Sequence, residues 1–205
     1  MTRICIFGDS ITHGKLDLDN GGWVKRLRQW FERLDRFNAL FNLGIPGDTS
    51  ESILRRIDSE CKSRLKTEYK KENVILIQIG INDSRYSKVP GNFNVPPKTF
   101  KENLKSIIKI CRKFSEKIIV LGLTPVDESR VQPIPWNPTE YYTNENVNKY
   151  NSIIKSVSEE TGIYFIDVLT KLDINLLKDG LHPNSEGHQK IFEIVKDFLI
   201  ENKII

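Results

Sequence analysis

The chain is poor in cysteine, has no long apolar run and carries no block of like charge, and each absence removes a class of function. Its three cysteines, Cys5, Cys61 and Cys111, are odd in number, far apart, and each set in an apolar pattern. That excludes a disulfide scaffold and offers no metal-ligand spacing, so they read as reduced core residues in a reducing compartment. No apolar stretch approaches the length of a membrane span. Residues 1–8 are too short for a signal peptide's apolar core and lead straight into Gly8-Asp9-Ser10, so the cytoplasm is the expected location. The net charge is only +4. The longest basic cluster, Lys62 to Lys71, is interrupted by Glu68, is followed by Glu72, and reads as a solvated helix end. With no zinc-finger or helix-turn-helix spacing, nucleic acid is not an expected partner. Neither G-x-G-x-x-G nor G-x-x-x-x-G-K-[ST] follows the first apolar run, which argues against a nucleotide-binding module. No G-x-S-x-G occurs, which argues against the nucleophile elbow of the α/β-hydrolases.

What is present is alternation. Of the 205 residues, 39% are hydrophobic and 28% charged, the balance of a globular chain able to bury a core. Short, nearly continuous apolar runs occur at 3–8, 38–44, 73–80, 117–123 and 163–168, the pattern of strands covered on both faces. Between them lie helical stripes: Trp23, Leu27, Trp30, Phe31 and Leu34; Ile53, Leu54, Ile57 and Cys61; Phe100, Leu104, Ile107, Ile108 and Cys111; Val147, Tyr150, Ile154 and Val157; then Ile191, Ile194, Val195, Phe198 and Leu199. Thr99 and Glu102 have the spacing of a capping box. Five strand–helix units with no repeat and no linker predict one doubly wound α/β domain over 1–205, with right-handed crossovers. Two long loops, 81–97 and 124–142, follow strands and should lie at the carboxyl edge of the sheet, where such folds bind ligands. Tyr86, Phe93, Trp136, Tyr141 and Tyr142 lie in or beside them and are candidates to line a pocket.

Polar residues gather at the same edge. Ser10 follows the first strand, and a lone serine there is as a rule a helix cap. Asn82-Asp83 alone reads as a turn. Gly44 and Gly47 alone are turn glycines around Pro46, and His182 before Pro183 alone is a bonded loop residue. Together, each type has a task in acyl transfer. Ser10 needs a base to become a nucleophile, His182 can be that base, and Asp179, three residues earlier, can set the imidazole tautomer. The backbone N–H groups of Ser10 and Gly47 and the amide of Asn82 can hold a developing oxyanion. Asp9 suits bracing the Ser10 loop. His13 reads as a surface or substrate-contact residue and His188 as structural.

Four segments, "FGDSIT", "GIPGDTS", "GIND" and "DGLHPN", resemble blocks of the SGNH hydrolases, the GDSL lipase/esterase family, over residues 4 to about 188. The resemblance implies a three-layer α/β/α, flavodoxin-like fold on a five-stranded parallel sheet. It implies Ser10 as nucleophile, Gly47 and Asn82 in the oxyanion hole, Asp179 and His182 completing a triad, and ester hydrolysis with no metal and no cofactor. The expected partner is a small acyl ester with a short acyl chain. Lysophospholipase, thioesterase and carbohydrate O-deacetylase are the alternatives within the family, and an inactive flavodoxin-like binding module is the alternative outside it.

Overall fold

The computed structural model describes all 205 residues. Five strands form a parallel sheet: β1 (Arg3–Gly8), β2 (Ala39–Gly44), β3 (Val74–Gln78), β5 (Lys117–Leu121) and β7 (Tyr164–Ile166), in the order β2-β1-β3-β5-β7. All five apolar runs thus became sheet strands. β1 lies between β2 and β3, with Ile4 opposite Leu40 on one side and Val74 on the other. Every residue of β3 is buried, which explains why the run does not alternate with polar residues.

Helices cover both faces. α2 (Gly22–Leu34) and α8 (Ser185–Glu201) pack together in one layer, and α3 (Ser50–Arg64), α5 (Pro97–Cys111) and α7 (Asn144–Thr161) form the other. The buried apolar residues make one contiguous cluster of 50, so sheet and helices share a single core. The strand order reverses between β1 and β3, and such a reversal is where folds of this kind bind ligands at the strands' carboxyl ends. No helix is long and apolar enough to cross a membrane.

The helical stripes fall inward with exceptions at their ends. Leu34, at the last turn of α2, is 57% exposed, and Trp30, Leu54, Ile194 and Phe198 are half-buried. All three cysteines are free and buried. The Thr99–Glu102 capping box does not form. α5 starts three residues earlier, at Pro97 after Pro96, and no side chain caps it. Proline at the first helical position has its φ preset and has no N–H to satisfy, so the helix begins there and Thr99 falls inside its first turn.

The two long loops are less irregular than expected. Each carries one short helix, α4 (Ile81–Ser84) and α6 (Glu128–Val131), and one short strand, β4 (Tyr86–Ser87) and β6 (Glu140–Tyr141). β4 and β6 pair antiparallel, and the rings of Tyr86 and Tyr141 stack at 5.2 Å and 15°. Arg85 bridges to Glu140 at 2.7 Å across the same pair. The loops are thereby clamped to each other over the sheet edge.

Candidate active site

Ser10 is the first residue of α1 (Ser10–His13), directly after β1. The helix starts because the Asp9 carboxylate accepts the Ile11 N–H at 2.9 Å. α1 is also tied to β3, since Thr12 donates to Gln78 Oε1 at 3.1 Å, where Trp23 Nε1 donates as well. Asp9 is 1% exposed, and burial pushes its carboxyl up to about 7 against the pull of the Ile11 N–H; the nearby Asp83 and Asp48 raise it further. It braces the serine turn.

His182 reaches Ser10 from 172 residues away, its Nε2 standing 2.9 Å from Ser10 Oγ. α8 packs beside α2, which brings the loop before α8 back over the end of β1. That loop is a tight hairpin: Lys178 N–H donates to the His182 carbonyl at 2.7 Å and Asn184 N–H to the Leu176 carbonyl at 2.7 Å. Gly180 turns it at φ 91°, and a Cβ there would lie 2.8 Å from Arg130 Cβ, so both the conformation and the space demand glycine. Asp127 N–H and the Arg130 guanidinium hold the hairpin from α6, donating to the Gly180 and Lys178 carbonyls.

Asp179 accepts three bonds. Its Oδ1 takes the N–H groups of Leu181 (3.0 Å) and His182 (2.8 Å), and its Oδ2 lies 2.8 Å from His182 Nδ1. Burial pushes this carboxyl up, but the bonds from the His182 ring and from the backbone outweigh it and hold it at about 2. An ionised carboxylate only accepts, so Nδ1 carries the proton and the Nε2 lone pair faces Ser10 Oγ.

Asn82 sits in α4 after β3, 6% exposed. Its Nδ2 donates to the Asp48 carbonyl at 2.9 Å, and its Oδ1 accepts the Tyr142 hydroxyl at 2.9 Å. A carbonyl cannot donate, so the amide orientation is determined, and one Nδ2 hydrogen is left over. Gly47 lies in the loop after β2 at φ 86°, with no heavy atom within 4 Å of where a Cβ would stand. Its N–H has no acceptor within the protein. The N–H of Ser10, first in its helix, has no intrahelical acceptor.

Arg56 of α3 carried no signal in the sequence. It is paired with Asp48 (2.9 Å and 2.7 Å), and it donates to the Leu43 carbonyl at 2.6 Å, so it holds the Gly47 loop against the end of β2. Asp83, half of a turn by sequence alone, links two helices. It accepts from the Ser50 backbone N–H at 2.9 Å and the Ser50 hydroxyl at 2.5 Å, tying α3 to α4; burial pushes its carboxyl up to about 6 against these bonds. No group of three or more His, Cys, Asp or Glu side chains is assembled that could hold a metal ion.

Of the five loop aromatics, one reaches the open site. Tyr86 and Tyr141 stack on each other, Phe93 packs against Tyr150, and Tyr142 is buried with its hydroxyl on Asn82. Trp136 stands 5.9 Å from the His182 ring and is 52% exposed. His13 is exposed at the end of α1. His188 is buried in α8, and burial pulls its imidazole down to about 4, so it is neutral and structural.

Solved structures share this fold across nearly their whole length. A lipase/acylhydrolase from Enterococcus faecalis is 23% identical, with 98% of this chain and 97% of that one covered and a TM-score of 0.76. A member of the lipolytic protein G-D-S-L family from Veillonella parvula DSM 2008 is 18% identical, with 98% and 99% covered and a TM-score of 0.73. A catalytic mutant of an acetylxylan esterase from Geobacillus stearothermophilus is 20% identical, with 98% and 93% covered and a TM-score of 0.71. No curated protein matches the chain. The sequence model of the GDSL-like lipase/acylhydrolase family matches residues 6–190, a span that runs from β1 through the Asp179–His182 hairpin into α8. With nine-tenths of the chain inside that match, this protein belongs to the GDSL-like lipase/acylhydrolase family.

Proposed function

We propose that the protein is a serine ester hydrolase acting on short-chain acyl esters. The observation that carries this is the line of bonds Ser10 Oγ–His182 Nε2–His182 Nδ1–Asp179 Oδ2, at 2.9 Å and 2.8 Å, with the tautomer set by the carboxylate. Ser10 Oγ attacks the ester carbonyl and gives its proton to Nε2. The oxyanion is met by the N–H groups of Ser10 and Gly47 and by the spare Nδ2 hydrogen of Asn82. Collapse breaks the bond to the alcohol, whose oxygen takes the proton from Nε2. Water then gives a proton to the imidazole and attacks the acyl-enzyme, and Ser10 leaves with that proton restored.

Neighbour names support the class. The Geobacillus acetylxylan esterase has catalytic mutants in which a serine, an aspartate and a histidine are each replaced. The short acyl chain rests on the shape of the molecule. A cleft of about 910 Å³ lies against β7, α7 and α8 and includes none of Ser10, Asn82 or His182. A fatty chain is worth binding only where each methylene is buried, at about 0.8 kcal/mol apiece.

The test is hydrolysis of nitrophenyl esters with two to sixteen acyl carbons by the wild type and by Ser10→Ala. The expected result is highest kcat/KM at two to four carbons and loss of turnover in the variant, with thermal unfolding nearly the same. Full activity of Ser10→Ala overturns the assignment. A kcat/KM that climbs past eight carbons replaces the short-chain reading with a lysophospholipase.

A further inference from the structure

We propose that Trp136 and Lys15 form the alcohol-side subsite of this site, and that it takes a polyhydroxylated ring alcohol, a sugar-like ester. The inference rests on the ester-hydrolase reading above and specifies which half of the substrate is recognised. The direction comes from the proton path. His182 Nε2 takes the proton from Ser10 Oγ at 2.9 Å and must hand it to the leaving oxygen, so the alcohol departs along the His182 side. The oxyanion donors, Gly47 and Asn82, come from the loops after β2 and β3 instead.

Trp136 is what stands on the His182 side. Its indole is 5.9 Å from the imidazole, tilted by 36°, and 52% exposed, whereas every other aromatic of the two loops is committed to a packing partner or to Asn82. A large indole left half in water beside the His182 imidazole offers a flat surface of substantial area to a ring with an apolar C–H face. The exposed Lys15, just past α1, holds its ammonium 5.6 Å from the indole centroid. An ammonium has three donors and no acceptor, and hydroxyls at the rim of a ring are suitable acceptors. An indole with an ammonium donor held over its ring fits a ring bearing hydroxyls better than an alkyl chain, which needs no donor, or a flat aromatic alcohol, which has nothing for the ammonium to bond.

The experiment keeps the acyl group constant and varies the alcohol, with ethyl acetate, cyclohexyl acetate and mono-O-acetylated methyl xyloside as substrates. Trp136→Ala should lower kcat/KM for both ring esters relative to ethyl acetate, by about tenfold for the xyloside, equivalent to about 1.4 kcal/mol. Trp136→Phe should recover part of that ratio. Lys15→Met should lower the xyloside relative to the cyclohexyl ester, because only the sugar carries hydroxyls. A ratio that does not move in Trp136→Ala, or a fall of the same size on all three esters, overturns the subsite while leaving ester hydrolysis intact. A wild-type protein that cleaves none of the three overturns the underlying function as well.

Discussion

Replacing Tyr142 by Phe removes one oxygen that never touches substrate, yet it should slow the reaction through Asn82. The Tyr142 side chain is 1% exposed, and burial pushes its phenol well above the ordinary range, so it remains a donor at any working pH. Its hydroxyl holds Asn82 Oδ1 at 2.9 Å while Asp48 holds Nδ2 at 2.9 Å. Deleting the hydroxyl leaves a buried carbonyl oxygen without a donor, which costs about 1–3 kcal/mol. For a chain of this length each kcal/mol is worth about 2–4 °C, so Tm should drop by several degrees. Removing the Asn82 donor outright, in Asn82→Ala, should cost about 10²–10³ in kcat with a smaller change in KM. In Tyr142→Phe the donor is still there and still tied to Asp48 through one hydrogen, but its aim is loosened, so kcat should fall about tenfold, between the wild type and Asn82→Ala. The decisive assay is the double-mutant cycle on kcat with a short nitrophenyl ester. Once Asn82 is alanine there is nothing left to aim, and Tyr142→Phe should have no further effect. The reasoning is refuted if Tyr142→Phe lowers kcat equally in both backgrounds, or if Tm falls while kcat stays at the wild-type value.

Further expectations concern the histidines and acids. His182→Ala should be as inactive as Ser10→Ala, while Asp179→Ala retains more turnover, since the acid orients the base; equal residual rates in the two would remove that distinction. Because Asp179 stays ionised down to about 2, the acid limb of the rate profile should follow a single ionisation, and two protonation steps above pH 3 would count against it. Stability should vary with pH through different groups. His188 titrates near 6.5 in the unfolded chain and about 4 in the folded one, so the unfolded chain binds the extra proton and stability falls as pH drops from 6.5 to 4. Asp9, ordinarily near 3.8 and about 7 when folded, works the other way: the folded chain holds the proton, and stability falls as pH rises through that window. Urea midpoints measured across pH should show the first slope flattened in His188→Gln and the second in Asp9→Asn, and parallel curves for variant and wild type would contradict the assignment.

The sequence by itself determined the layered architecture. Five short, nearly continuous apolar runs predict the strands of a parallel sheet, and the helical stripes between them supply its covers. It also determined the candidate chemistry, because Ser10, Gly47, Asn82, Asp179 and His182 each sit just past a strand or in the last loop, where parallel topology gathers chain ends. Turn chemistry was legible where one residue suffices, as at Gly47, and misleading where a competitor was near: the Thr99 box lost to Pro97 because a preset φ starts a helix without any side-chain bond. What only the tertiary structure decided was the pairing. No local pattern marks Arg56 as the holder of the Gly47 loop or joins β4 to β6. Nor does any pattern show which of five similar aromatics is sunk onto Asn82 and which is left open beside His182. Those outcomes depend on contacts between residues tens of positions apart, such as the 60 between Tyr142 and Asn82, where burial and hydrogen-bond satisfaction are settled only after the layers have closed.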